Sequence, residues 1–461
     1  MKARQRQQVE NSFNAPSNGS DGVGGADAWI RHAVEDFIAM VLLITVLTIY
    51  GSWAWFTGDE SMSAFIPPFV PGYNMGGQEH MGGEYYNIAE AIYEGRGYSD
   101  PFEDETGATG WSPPALTYLM AAGLSLVGGS RDSLTVCFFG MQICVLAFTI
   151  TILLSIADSL KQRRLALLAA AIVVVPNFQW LFQRTHDCVF QMFWIDLILL
   201  GLSMWRFPPA QTWKTIAWGF FGGFCALCSP IVGFAWAATT AGTWGLRSWK
   251  SISVVAATSV VVVTPWILYQ SNRLGTFAPI KSNAGFEQFQ GQLVLADGLI
   301  VESSYYVHPY WPDCDEGQRY REIGETAYIK EKRHQFRTSV RINPLEYLRK
   351  IGCRILAATV WLDSETPADK QKLSFVALRQ LASLPFFGLI LLVWQRSENA
   401  NWMKPAICCY LIYLAPYMLV GYYERYAVPL TLPRMLVTLW LLVSVKNYLG
   451  RSKCVNTKIV D

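Results

Sequence analysis

The sequence predicts an all-α polytopic membrane protein with about ten transmembrane helices. Three observations carry that prediction: apolar runs of near-spanning length, a charge content far below that of soluble domains, and basic clusters that recur in alternate loops. The chain has 461 residues, 52% hydrophobic and 16% charged, with 18 Trp and 21 Tyr. A soluble domain carries about 25% charged residues. The net charge of +2 gives no support for a nucleic-acid partner. Of the ten cysteines, Cys137, Cys144, Cys225, Cys228, Cys408 and Cys409 sit inside apolar runs, where a thiol behaves as a small hydrophobe. Cys225 and Cys228 form one CxxC with no second pair or nearby His, so they read as helix content before they read as zinc or redox ligands. Cys314 and Cys353 share a long polar segment and could pair.

Residues 1–34 are rich in Gln, Asn, Ser and Gly with scattered basic residues, and read as a disordered cytoplasmic N-terminus. The first apolar run, Phe37–Phe56, is too long for a signal peptide and reads as a spanning anchor. Further runs lie near 134–157, 165–182, 188–205, 214–229, 231–246, 251–270, 374–395, 404–420 and 425–445. One more, Ala115–Val127, is of doubtful length, and charge decides it. If it does not cross, the N-terminal basics, Lys161–Arg164, Arg206–Lys214, Arg247–Lys250, Arg396–Lys404 and the tail from Lys446 all fall on the cytoplasmic side. Ala115–Val127 is therefore expected to lie along the interface, and both termini to be cytoplasmic. The expected organisation is a transmembrane core over 35–270, with a first external loop at 57–114. An external, partly helical cap follows over 271–372, then C-terminal transmembrane helices over 373–446 and a cytoplasmic tail over 447–461.

The first external loop holds ten Asp/Glu against the single Arg96. Within it Tyr85, Ile88, Ala89, Ile92 and Tyr93 recur at helical spacing, opposite Glu84, Asn87 and Glu94, and predict a short interfacial helix ended by Gly95 and Gly97. Trp111 before Ser112-Pro113-Pro114 suits an interfacial aromatic followed by a helix start. The same face collects the turn Arg184-Thr185-His186-Asp187, the stretch from Lys281 to Asn283, and Tyr422–Tyr426. Glu84 and Glu79 are the candidate bases of this face. Each is equally readable as a solvated loop acid. Asp187 either faces their cavity or pairs with Arg184. Arg425, between Tyr423 and Tyr426, and Lys281 suit a lipid phosphate or serve as interfacial anchors. Asp196 lies inside an apolar run, where an acid needs a partner. A neighbouring Arg or Trp N–H is expected to supply it, in a structural role. His186 has no neighbours at ligand spacing, so no metal or other cofactor is expected, with a divalent cation left open.

The stretch EYYNIAEAIYEGRGYSDPF, followed by GATGWSPPALTYLMAAGLSLVGG, resembles the first-loop signature of GT-C glycosyltransferases. The nearest branch comprises the protein O-mannosyltransferases and lipid A aminoarabinose transferases. THDCVFQMFWIDLILLGL, RLGTFAPIKSNAGFEQFQGQ and ERYAVPLTLP resemble later parts of that family in the expected order. The resemblance implies an inverting membrane transferase of a bacterial plasma membrane, with its active site external. It would take a sugar from a polyprenyl-phosphate donor to a protein, lipid or glycan acceptor. It assigns the base to Glu84 or Glu79, a supporting role to Asp187, and the donor phosphate to Arg425, with Lys281 and Arg184 beside it. Tyr85, Tyr86, Trp111, His186, Asn283 and Tyr426 are then expected to line the cavity. Met81 stands where relatives commonly carry Asp, which leaves the choice between Glu84 and Glu79 open. The competing reading is a transporter or lipid-linked-sugar flippase. It would place ionisable residues in broken or repeated helices, and here only Asp196 fits.

Overall fold

The computed structural model describes residues 22–57, 83–102, 106–177, 181, 187–205, 208–209, 211–299, 307–360, 383–395 and 403–456. Among these residues the regular structure is helical, with two isolated bridge pairs, Ser99 with Ala108 and Leu299 with Tyr422. In chain order the helices are α1 (Gly22–Phe56), α2 (Gly83–Tyr93), α3 (Pro114–Leu126), α4 (Arg131–Ser159), α5 (Arg163–Val174), α6 (Asp187–Met204), α7 (Thr212–Cys228) and α8 (Pro230–Trp244). There follow α9 (Trp249–Leu274), α10 (Ala284–Phe289), α11 (Asp315–Ile342), α12 (Pro344–Val360), α13 (Leu384–Gln395), α14 (Met403–Val420) and α15 (Thr431–Asn456). Glu424–Leu430 forms a 3₁₀ segment between the last two, and Gln290–Val294 a π turn after α10.

Each of the ten apolar runs carries a helix, and among the described residues six are long and apolar enough to cross a membrane: Ile30–Tyr50, Arg131–Ser159, Asp187–Met204, Trp249–Leu274, Met403–Val420 and Arg425–Leu449. Over the described residues, the helices on the other four runs are shorter. α5 stops at Val174, two residues before Pro176, because a proline ring removes a donor and clashes with the preceding turn. α7 and α8 meet at Ser229-Pro230, with the proline in the first turn of α8. The thirteen residues of α3 rise only about 20 Å at 1.5 Å each, short of the ~30 Å apolar core of a bilayer. Its buried face, Leu116, Met120, Ala121 and Leu124, packs on Tyr85, Tyr86 and Ala89 of α2 and on Leu134 and Phe138 of α4.

Two expectations are corrected here. α1 begins at Gly22, so residues 22–34, expected to be disordered, continue the helix. From Ala26 to Val34 that stretch contains no Gly or Pro to stop it. Cys314 and Cys353 are both free. The Cys314 sulfur instead caps α11, accepting from the Gly317 N–H at 3.3 Å.

Close helix contact is encoded in α7. A methyl group added at Gly219 would meet the Val255 carbonyl oxygen at 2.7 Å, one at Gly222 the Trp236 ring at 2.2 Å, and one at Gly223 the Val262 Cβ at 2.5 Å. Small residues let helix backbones approach where hydrophobic exclusion from water supplies no force. Asp196 is fully buried on α6 and accepts from Thr149 Oγ1 of α4 at 2.5 Å, so a hydroxyl takes the place expected for an Arg or Trp.

Polar contacts between the described helices gather at two ends of the bundle. At one end Arg163 bonds Asp36 and Asp158, and Lys446 Nζ donates to Gln162 at 2.9 Å, tying α1, α4, α5 and α15. At the other end Tyr85 reaches Asp187, and Arg354 of α12 reaches the Leu419 carbonyl at the close of α14.

Candidate functional site

α2 stands over the second of these ends and carries Glu84 in its first turn, where the helix dipole favours a negative charge. The preceding residue has to be glycine, since a Cβ at Gly83 would meet the Tyr310 ring at 2.7 Å. That contact lays the segment 307–311 across the start of α2. His308 Nε2 then lies 3.6 Å from Glu84 Oε1, with the side chains only 13% and 20% exposed. The Tyr310 N–H donates to His308 Nδ1 at 3.2 Å, so in the neutral ring the hydrogen sits on Nε2, facing the carboxylate. Phe102, Trp111 and Phe286 set their rings at right angles to the imidazole, with centroids 5.0–5.8 Å away.

Burial pushes the Glu84 carboxyl up to about 7; the charges of Arg425 and Lys281 pull it back, and Glu287 opposes them. These charges come from two separate parts of the chain, the stretch 281–287 and the 3₁₀ segment. Lys281 Nζ is 3.9 Å from Glu287 Oε1, and Asn283 Nδ2 donates to that same oxygen at 3.1 Å. Arg425 lies in the 3₁₀ segment, its guanidinium 5.3 Å from the Tyr423 ring and 5.5 Å from the Tyr426 ring. The result is a buried carboxyl pushed up to about 7, within the field of two cations and with a ring N–H facing it.

A second polar chain leads from Glu84's neighbour toward the helix bundle. Tyr85 donates to Asp187 Oδ2 at 3.2 Å, and Gln191 Nε2 donates to the same oxygen at 2.6 Å. Tyr413 then donates to Gln191 Oε1 at 2.7 Å. Tyr417 lies within 3.4 Å of the Tyr413 hydroxyl and stacks on Tyr426 at 4.0 Å. Burial, with the Asp187 charge next, pushes the Tyr85 phenol well up, so it remains a donor. Asp187 thus meets Tyr85 and Gln191. The competing expectation, a pair with Arg184, falls with Arg184, His186 and Glu79 outside the described residues.

Two expected cavity residues are placed elsewhere. Tyr86 follows Tyr85 but points about 100° away around the helix. Its hydroxyl donates to Glu90 at 2.9 Å, and Arg131 covers its ring at 4.5 Å. Trp111 is 1% exposed, packed among Phe102, Phe286 and Tyr320 behind His308. It supports the imidazole from within the cap.

Sequence reasoning missed His308, Glu287, Gln191, Tyr413 and Tyr417. Spacing offered a partial signal for some of them. Asn283 and Glu287, Asp187 and Gln191, and Tyr413 and Tyr417 are all i, i+4 pairs, which share a helix face. His308 had none beyond its place in the aromatic run Tyr305–Trp311.

Set against known proteins, the chain matches no family model, no curated protein and no solved structure.

Proposed function

We propose that the chain is a multi-pass membrane glycosyltransferase that moves a sugar from a polyprenyl-phosphate donor to an acceptor hydroxyl on the non-cytoplasmic face. The observation that carries this reading is the buried Glu84 carboxyl, 3.6 Å from the His308 ring nitrogen and within the field of Arg425 and Lys281, where burial pushes it up to about 7. A base is most effective when its pKa lies close to the working pH. In the proposed reaction Glu84 takes the acceptor's hydroxyl proton as that oxygen bonds to the anomeric carbon. The bond from that carbon to the phosphate oxygen breaks, and the polyprenyl phosphate leaves with the electron pair. Arg425 and Lys281 stabilise the charge gathering on the leaving oxygen. His308 orients the ionised carboxylate, and Asp187, held by Tyr85 and Gln191, lines the membrane-side wall.

Ten crossings with both termini cytoplasmic belong to the same proposal. Arg163 and Lys446 meet at the end of the bundle opposite Glu84, in keeping with the preference of basic loops for the cytoplasm. The test is transfer from a labelled polyprenyl-phosphate sugar in reconstituted membranes. Glu84→Gln should lower the rate about 10²–10⁴-fold, the range of a lost general base, with the protein still monodisperse in detergent. Wild-type rates in both Glu84→Gln and Glu79→Gln would end the assignment of a first-loop base.

A further inference from the structure

Helix α12 turns two cations inward and leaves most of its leucines and isoleucines exposed, with Arg349 exposed at their edge and paired to Glu346 and Asp297. Lys350, Arg354 and Ala357 recur on its buried face, while Leu345 and Leu348 are 76% and 60% exposed and Ile355 and Leu356 are exposed beside them. Ile342, just before the helix, is exposed as well. A helix of this pattern in water turns its leucines inward and its charges out. The buried cations are fully engaged with backbone. Lys350 Nζ donates to the carbonyls of Gln292 and Leu295 at 2.6 and 2.7 Å. Arg354 donates to those of Gly291, Gly298 and Leu419 at 2.6, 2.9 and 3.0 Å. The polar side therefore cannot turn outward without breaking these bonds, and the apolar side stays presented.

Two of the bonds fix the depth of the helix. Arg354 Nη1 and the Tyr347 hydroxyl both donate to the Leu419 carbonyl, at 3.0 Å each. Leu419 is in the last turn of α14, one of the six helices long and apolar enough to cross a membrane. α12 is thus pinned at the level where α14 leaves the apolar slab. Its stripe continues onto the exposed Leu419 and Leu411 of α14 itself. At its other end Ile342 is shared with a groove of about 500 Å³ that Phe289, Leu293 and Thr338 also line.

We propose that α12 lies in the interface of the leaflet on the Glu84 side, with Ile342, Leu345, Leu348, Ile355 and Leu356 among lipid acyl chains. The occupant of this face is bilayer lipid. An amphipathic helix seated in this way buries its apolar face about 5–10 Å into the headgroup and acyl boundary. Within the external cap expected over 271–372, α12 is then a membrane-bound wall of the site. This inference does not depend on the transferase reading and holds whatever reaction Glu84 serves.

The full chain would be reconstituted into phosphatidylcholine liposomes doped with phosphatidylcholine carrying an acyl-chain diazirine, irradiated, digested and mapped by mass spectrometry. Adducts on Ile342–Leu356 at yields comparable to those on Leu411 and Leu419 are expected, with none on the charged start of α11. Labelled Leu411 and Leu419 with an unlabelled Ile342–Leu356 would overturn the proposal. A crosslinked dimer through Leu345 or Leu348 in place of lipid adducts would give the face to a second copy, and would overturn it equally. Transfer activity does not enter the readout, so this failure is separable from failure of the proposed chemistry.

Discussion

At Glu84 three effects meet, and burial wins: it lifts the carboxyl from 4.5 to about 7 against Arg425 and Lys281. A group whose folded pKa is raised holds its proton in the folded state over a window where the unfolded chain has lost it. Stability from Glu84 is thus present below 4.5 and is lost as pH rises through about 7. A base must be ionised, so its contribution to rate runs the other way, rising through the same midpoint. The transfer rate at limiting donor should therefore climb around pH 7, and the thermal stability of the solubilised protein should fall there. Glu84→Gln should flatten the stability profile. Arg425 exerts the largest pull toward ionisation, so Arg425→Gln should move the kinetic midpoint upward and raise the donor KM. Arg425→Lys should restore the midpoint while recovering donor affinity only in part, because an ammonium lacks the two-pronged geometry that grips a phosphate. An unmoved midpoint in Arg425→Gln would separate the guanidinium from the carboxylate it is held to tune.

Between elements, the joint that holds the site together is Glu325, just past a break in α11. Gly324 has φ of 73°, a conformation that favours glycine, and it turns the chain so that Glu325 points back at the first loop. Its buried carboxylate accepts from Gly110 N–H at 2.8 Å, Ser282 Oγ at 2.6 Å, Tyr320 OH at 2.9 Å and the Thr109 hydroxyl. One side chain thereby joins the loop before α3, the stretch carrying Lys281 and Asn283, and the cap carrying His308. Stripping the acceptor from this cluster by Glu325→Ala should cost roughly 1–3 kcal/mol, as when buried hydrogen-bond donors are left without their acceptor. It should lower the melting temperature of the solubilised protein, where Glu84→Gln should not; equal melting temperatures for Glu325→Ala and wild type would refute the keystone role. Contacts of this kind explain why the site was only partly legible in the sequence. Helix positions, the glycine stop after α2 and the short α3 follow from local periodicity, and the runs showed them. Thr109 meets Glu325 across 216 positions and Tyr85 meets Asp187 across 102, and no local pattern records such pairs. Trp111 was misjudged for a related reason. An aromatic before Ser-Pro-Pro looks the same whether it faces lipid, substrate or a neighbouring imidazole.

For the whole molecule, orientation decides which solvent the site sees. Arg163, Lys446 and the neighbouring Lys161 and Arg164, with Asp36 and Asp158, mark one end of the bundle; Glu84, Asp187 and Glu287, with Lys281 and Arg425, mark the other. α4 connects them: its 29 residues rise about 43 Å at 1.5 Å each, enough to cross a ~30 Å apolar core with both ends in water. Asp132 and Ser159 are exposed at its two ends, and the native Cys137 and Cys144 between them face the apolar surroundings of the helix. In intact cells, in a chain with Cys314 and Cys353 replaced by Ser, a membrane-impermeant maleimide should label Asp132→Cys and leave Ser159→Cys unlabelled until the membrane is opened. The reverse pattern would put Glu84 and Arg425 on the cytoplasmic side. The end carrying Lys161–Arg164 and Lys446 would then face outward, against the charge preference that orients helices, and a donor presented on the non-cytoplasmic face could not reach the base. This one labelling experiment therefore constrains the ten-span topology and the transferase reading together, because both require the acids at the head of α2 and the 3₁₀ segment before α15 to open on the same solvent.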